Sequence, residues 1–307
     1  MTVTLTGGTP RAVASRGTAP RPRPRRRVAP YLFVLPALLL FAVFKIYPIG
    51  RSFVISLHKT VGGTERFVGA DNYTRLMGDP LFWTALKNTA VILVVQVPVM
   101  LALATGLAVA LNSTLLRGRA LFRLGFFLPM ITGLVAYGIV FSVLLGKDYG
   151  LVNWLLGLTG LDPVPWLTDP LWAKVSLGLA LTWHYTGYNA VILLARLQSV
   201  PAELYDAAAV DGAGAWTSFC HVTLPGLRPA LLLTTVLSTI GTLQIFDEPY
   251  VLTGGGPDNA TLTIGVYLYQ NAFKYFDFGY ASAIAYALAV LIGILGVIQF
   301  RFLGEKS

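Results

Sequence analysis

The chain has 307 residues, of which 55% are hydrophobic and only 12% are charged. Soluble domains carry about 25% charged residues, so this composition excludes an ordinary soluble domain and indicates an integral membrane protein. The net charge is +9, but seven of the 23 basic residues are arginines within residues 11–27, before the first apolar stretch, where they suit an anionic membrane surface better than a nucleic acid.

The N-terminal residues 1–29 are predicted to form a disordered basic arm that keeps the N-terminus in the cytoplasm. A secretory signal needs a short apolar region and a small-residue cleavage site. Here the apolar run continues into FKIYPIG, with no such site. A twin-arginine export signal at RRRVAPYLF is the alternative interpretation of this segment.

Six apolar stretches are long enough to cross a bilayer core about 30 Å thick as helices. They cover residues 31–49, 90–111, 120–145, 175–197, 230–251 and 280–300. Pro36, Pro98 and Pro129 fall inside them, which membrane helices tolerate. The basic residues favour cytoplasmic N- and C-termini. Residues 30–307 therefore read as one all-α, polytopic membrane domain with six transmembrane helices.

The remaining segments are too short to be enzymatic domains. In residues 58–89, the tripeptide Gly78-Asp79-Pro80 predicts a turn, and a short helix is also expected. Residues 146–170 contain two proline turns, with Trp154 and Trp166 placed as interfacial aromatics. Residues 261–276 are too short to span and predict an interfacial or re-entrant helix.

No motif for catalysis or for a phosphate-binding loop occurs in the sequence. There is no G-x-x-x-x-G-K-[ST], and GGGP at residues 254–257 lacks the lysine. One cysteine and three histidines give no disulfide and no zinc-ligand pattern. His184 lies in a predicted span, where a packed or hydrogen-bonded histidine is more common than a catalytic one. We expect no catalytic residue, no metal and no cofactor on this chain.

The loop at residues 198–228 is predicted to face the cytoplasm and to form two short helices. Pro201 suits a first helical turn, and PAELYDAAAV contains strong helix formers. Asp211 and Gly212 predict a stop, because glycine readily adopts positive φ. AWTSFCHV then predicts a second helix, which Leu224 and Pro225 end before the next span. The loop could simply link two spans.

The spacing in this loop favours a more specific interpretation. Asp206-Ala-Ala is followed after three residues by Gly212, and after nine more by Val222-Thr-Leu-Pro. This resembles E-A-A-x(3)-G-x(9)-I-x-L-P, the signature of ABC importer permeases, with Asp for Glu and Val for Ile. The flanking LQSVPAELYDAAAVDGA, FDEPYVLTGGGPDNAT and DFGYASAIA resemble the carbohydrate, maltose-type branch. The resemblance covers nearly all of residues 30–300.

The resemblance implies the transmembrane domain of a type I ABC importer, a transport subunit rather than an enzyme, in a bacterial cytoplasmic membrane. Two homologous permeases would pair, and ATP and Mg would bind a separate cytoplasmic ATPase dimer. An extracytoplasmic solute-binding protein would deliver a sugar or oligosaccharide. The loop residues implied to contact the ATPase are Glu203, Asp206, Ala207, Ala208, Asp211, Gly212, Leu224 and Pro225.

By the same resemblance, five residues match positions that line the sugar path in maltose-type permeases. These are Tyr185, Tyr188, Ser238, Thr242 and Ile245. Tyrosine rings can stack on a sugar and their hydroxyls can hydrogen-bond to it. Ordinary packing between spans is the alternative. Glycerol phosphate or a polyol remains an alternative cargo, and an ATP-independent secondary transporter is a more distant alternative mechanism.

Overall fold

The computed structural model describes residues 29–61, 64–113, 116 and 118–303. The predicted basic arm, residues 1–29, lies outside these residues except for its last position. The chain forms two units, one ending at Gly50 and one beginning at Arg51. In the first unit, the described residues are helical: α1 is Ala29–Phe41 and a π-helical turn covers Ala42–Ile46. α2 (Tyr47–Ser56) begins in this unit and ends in the second.

Among its described residues, the second unit is helical apart from one short hairpin and the connecting turns. In chain order its elements are β1 (His58–Val61), β2 (Thr64–Phe67), α3 (Asp71–Gly78), α4 (Pro80–Asn112), α5 (Arg119–Ile131), α6 (Leu134–Leu144), α7 (Leu151–Leu158), α8 (Pro170–Leu197), α9 (Ala202–Val210), α10 (Ala215–Ser218), a π-helical turn (Phe219–Thr223), α11 (Leu224–Leu243), α12 (Asp247–Thr253), α13 (Ile264–Tyr269), a second π-helical turn (Gln270–Lys274) and α14 (Phe278–Leu303).

The helical, polytopic fold predicted from the sequence is confirmed. Within the described residues, four helical stretches are long and apolar enough to cross a membrane alone, namely Leu32–Ser56, Pro80–Asn112, Ala215–Leu243 and Phe278–Phe302. The predicted span at 175–197 corresponds to α8, which has 28 residues but is less apolar than these four. The antiparallel hairpin, which pairs His58 with Phe67, was not predicted.

The predicted span at residues 120–145 is not one continuous helix. α5 and α6 are separate helices that meet at 98°, and together they could supply a fifth crossing. The helix stops where the Thr132 N–H bonds to the Pro129 carbonyl at 3.1 Å, three residues back. Gly133 then adopts an extended ψ of 136° before α6 begins. The chain therefore bends after Pro129 and does not continue as one helix from α5 to α6.

The long helices α4 and α8 begin at the same kind of signal. Asp79 caps α4 by accepting from the Leu81 N–H at 2.9 Å, and Asp169 caps α8 by accepting from the Leu171 N–H at 2.9 Å. Each aspartate is followed by a proline, whose missing N–H is no loss in the first turn. Both helices consequently begin before the apolar stretches from which their spans were predicted.

α4 and α8 pack together through small buried side chains. Ala104 and Ala108 on α4, and Ala190 on α8, are completely buried in one cluster with leucines of α8 and Ala230 of α11. Small residues allow two helix backbones to approach closely, which is how helices associate when the solvent is lipid. Large apolar side chains elsewhere, including Val94, Val290 and Ile294, are exposed, as a lipid-facing surface requires.

A polar network joins α3, α4, α13 and α14 at one end of the fold. The Asp79 carboxylate accepts hydrogen bonds from the hydroxyls of Tyr267 and Tyr280. Arg75 forms a 2.7 Å ion pair with Asp277, and its guanidinium lies 3.9 Å from the Tyr280 ring centre. Partial burial alone would raise the pKa of Asp79, but the hydrogen bonds from both tyrosines and from backbone N–H groups hold it below its ordinary value.

Candidate functional site

The five residues predicted to line a sugar path meet at one cavity. It has a volume of about 260 Å³ and lies among α4, α5, α8, α11 and the residues just after α11. Its lining consists of Gln96, Met100, Met130, Leu181, Tyr185, Tyr188, Asn189, Leu237, Ser238, Gly241, Thr242 and Ile245. Among these residues none is charged. The cavity therefore combines apolar surface with neutral hydrogen-bonding groups.

The helix periodicity explains how these side chains come together. Tyr185 and Tyr188 are three residues apart on α8, and Ser238 and Thr242 are four apart on α11, so each pair shares a helix face. Ile245 follows the end of α11, where its N–H bonds to the Thr242 carbonyl at 3.3 Å. The predicted fifth span, 230–251, is not one helix, because α11 ends at Leu243 and α12 begins at Asp247.

A buried carboxylate lies next to the cavity. Glu248 on α12 is almost completely buried, and the Tyr185 hydroxyl donates to its Oε1 at 3.2 Å. Because Tyr185 also lines the cavity, this hydrogen bond restrains the orientation of its ring. His184, the neighbouring residue on α8, is buried and stacks on the ring of Tyr137 at 4.5 Å. This packing agrees with the interpretation of His184 as a structural residue.

Seven of the 12 residues that line the cavity were not predicted from the sequence, among them Gln96, Met100 and Asn189. Gln96 and Met100 lie on α4, inside an apolar run that was interpreted only as a span. The available signal was Gln96 itself, because an amide in the middle of a membrane segment is rarely placed without a polar partner. Asn189 on α8 was also missed; its amide donates to the Tyr185 carbonyl at 3.0 Å and to the Met100 sulfur at 3.6 Å.

The loop at 198–228 contains the two predicted short helices, α9 and α10. Gly212 has φ of +76° and ends α9. The N–H of Ala213 reaches back to the Ala208 carbonyl at 2.9 Å, and that of Gly212 to the Ala209 carbonyl at 3.1 Å. This pair of bonds is the Schellman arrangement, in which glycine supplies the left-handed residue. A side chain on Gly212 would meet no neighbour, so only its φ restricts substitution.

The second part of the loop differs from the prediction. Leu224 and Pro225 do not end a separate short helix, because α10 continues through the π-helical turn into α11. The result is one helix over Ala215–Leu243. Pro225 has no N–H to donate, but it lies in the first turn of α11, directly after the wider turn. The chain therefore continues without a break.

α9 presents an exposed surface. None of its residues is buried, including Glu203, Asp206 and Ala207. Val210 is 88% exposed, and Trp216 is 75% exposed while stacking on Phe219 with ring centres 5.5 Å apart. Exposed apolar groups next to carboxylates are typical of a protein-binding surface. The loop is itself anchored to the spans, since the Arg196 side chain donates to the Gly226 carbonyl at 3.0 Å.

The fold and the cavity define a multi-pass helical membrane protein whose internal cavity is uncharged and combines apolar surface with hydrogen-bonding groups. The family described as "Binding-protein-dependent transport system inner membrane component" matches residues 102–304. The chain belongs to this family, so it is a permease subunit of a transport system and a multi-pass inner-membrane protein.

Curated relatives match most of the chain. The "Lactose transport system permease protein LacF" of Rhizobium radiobacter is 46% identical, covering 90% of this chain and 94% of that protein. The "Arabinooligosaccharides transport system permease protein AraP" of Bacillus subtilis is 37% identical, covering 91% and 90%. A crystal structure of "a bacterial ABC transporter involved in the import of the acidic polysaccharide alginate" superimposes with a TM-score of 0.81 at 23% identity, covering 92% and 97%. That likeness shows the fold alone.

Proposed function

We propose that this chain is a permease of an ATP-driven importer and that its cavity passes a neutral sugar or oligosaccharide across the membrane. The observation that carries this proposal is the convergence of Tyr185, Tyr188, Ser238, Thr242 and Ile245 on one uncharged cavity. Its 260 Å³ lies just below the ~300–1,000 Å³ usual for ligand pockets, so the helices must separate somewhat for a larger sugar.

The chemistry of the lining suits a sugar. A tyrosine ring offers an apolar face to the carbon side of a pyranose, while its hydroxyl and those of Ser238 and Thr242 can exchange hydrogen bonds with sugar hydroxyls. A glycerol phosphate cargo would call for arginine or lysine, and none occurs among the described lining residues. A polyol has the same hydrogen-bonding chemistry and is the alternative cargo.

The energy source is proposed to lie on another chain. ATP and Mg would bind a cytoplasmic ATPase dimer, and the exposed residues of α9 and its flanks would contact it. Ala207 and Ala208 leave the backbone of α9 approachable, while Asp206, shorter than the usual glutamate, would lie at the edge of the contact. Glu203, Asp211, Gly212, Leu224 and Pro225 would complete and shape this coupling loop.

The assembly would contain a second homologous permease and an extracytoplasmic solute-binding protein. A solved relative was crystallised "in complex with alginate pentasaccharide-bound periplasmic protein", which supports a binding-protein partner for this fold. We propose that both termini face the cytoplasm, with residues 1–29 as a basic arm and residues 30–307 as the permease domain.

Uptake into proteoliposomes tests the function. The permease is reconstituted with its partner permease, ATPase and binding protein, and radiolabelled lactose, maltose, trehalose, sorbitol and glycerol 3-phosphate are compared. The expected result is ATP-dependent accumulation of at least one of the sugars. Accumulation that persists without ATP would identify a secondary transporter, and accumulation of sorbitol or glycerol 3-phosphate alone would refute a sugar cargo.

A further inference from the structure

One buried amide nitrogen at the cavity has no hydrogen-bond partner among the described residues. Gln96 on α4 is only 6% exposed and lines the cavity, yet its Nε2 makes no hydrogen bond with any described residue. An amide nitrogen carries two donors, and leaving them unsatisfied in a membrane interior is costly. Such a group calls for an explanation beyond packing.

Another amide on the same helix shows the usual arrangement. Asn88 is also 6% exposed, but its Nδ2 donates to the carbonyls of Asn259 at 2.8 Å and Leu262 at 3.0 Å. Asn189, across the cavity, likewise uses its Nδ2 within the protein. Gln96 therefore differs from these two buried amides, because its amide nitrogen donates no hydrogen bond to the described residues.

We infer that Gln96 is a specificity-determining residue, whose amide hydrogen-bonds a hydroxyl group of the transported sugar. This inference rests on the proposed function, because it assigns the substrate as the missing partner. The carboxamide offers a donor and an acceptor on one rotatable group, and turning it about its last bond exchanges the two. A hydroxyl can satisfy either. A site built around such a group rejects analogues that lack the hydroxyl, since the amide would then remain unpaired.

The test compares Gln96→Met with Asn88→Leu. Each replaces an amide by an apolar side chain of similar size on α4. The transporter, purified with its partner permease and ATPase but without binding protein, is titrated with radiolabelled lactose, or with the sugar that uptake identifies. Melting temperatures of the same samples are measured without sugar.

For Gln96→Met we expect affinity about fivefold weaker, or ~1 kcal/mol, the contribution of one hydrogen bond between neutral groups. Its melting temperature should equal or exceed that of the wild type, because an unsatisfied group has been removed. Asn88→Leu should melt at a lower temperature, because two carbonyls lose their donor.

Two results would overturn the inference. Unchanged affinity in Gln96→Met, with a wild type that binds sugar, would show that the amide does not contact it. A Gln96→Met protein that melts as low as Asn88→Leu, or does not reach the membrane, would show a structural role. A wild type that binds none of the sugars would instead overturn the proposed function and this inference with it.

Discussion

Substitution of Gly187 tests directly how closely α5 and α8 pack. A Cβ added to Gly187 would overlap the backbone carbonyl of Phe126 on α5. The obstacle is backbone and not the end of a flexible side chain, so Gly187→Ala can be accommodated only if the two helices separate. Overpacking of this kind costs about 1–3 kcal/mol. The better helix propensity of alanine offsets up to ~1 kcal/mol of that.

Gly178 is the matched control, because it lies on the same helix and its added Cβ would meet no atom within 4 Å. Gly178→Ala should be neutral or stabilising by up to ~1 kcal/mol. The free energy of unfolding of both variants can be measured by titrating detergent-solubilised protein with a denaturing detergent and following tryptophan fluorescence. Equal stabilities for Gly187→Ala and Gly178→Ala would refute the close approach of α5 and α8.

Three further predictions follow from the network, the loop and the cavity. Asp79→Asn should lower the free energy of unfolding at neutral pH. Because the pKa of Asp79 is lowered in the folded state, the difference in free energy of unfolding from the wild type should shrink as the pH falls below 3.8. Denaturation at several pH values would measure this difference. Ala207→Arg should abolish ATP-driven uptake although the protein still reaches the membrane, because α9 is exposed and tolerates the side chain; wild-type uptake would contradict the coupling role. Tyr188→Ala should reduce uptake several-fold while Tyr188→Phe, which keeps the ring, retains most of it, and equal rates for both would argue against stacking.

The sequence predicted the elements whose signals are local. The apolar stretches located the long helices α4, α8 and α14. Asp211-Gly212 correctly placed the end of α9, because positive φ at glycine depends on the residue itself. Convergence of Tyr185 with Thr242 was anticipated only through family resemblance. Helix periodicity puts residues on one face, but it does not say which neighbouring helix that face meets.

Features that depend on distant partners were missed. The bend after Pro129 was not anticipated, because membrane helices often contain proline without breaking. Asp79 was interpreted as part of a turn, yet it accepts from Tyr267 and Tyr280, which lie 188 and 201 residues away. Gln96 was not singled out in the sequence, and the structure distinguishes it because its Nε2 has no hydrogen-bond partner among the described residues.

The continuity of α10 with α11 has a mechanical consequence. The helix over Ala215–Leu243 has 29 residues and is about 43 Å long, with Trp216 near one end and Thr242 near the other. If the loop is moved as proposed, such a helix would transmit that movement to the wall that carries Ser238 and Thr242, because the helix continues without a break from one to the other. The wider π-helical turn at Phe219–Thr223 lies between the loop and that wall, so its stiffness would set how much of the loop's movement reaches the cavity.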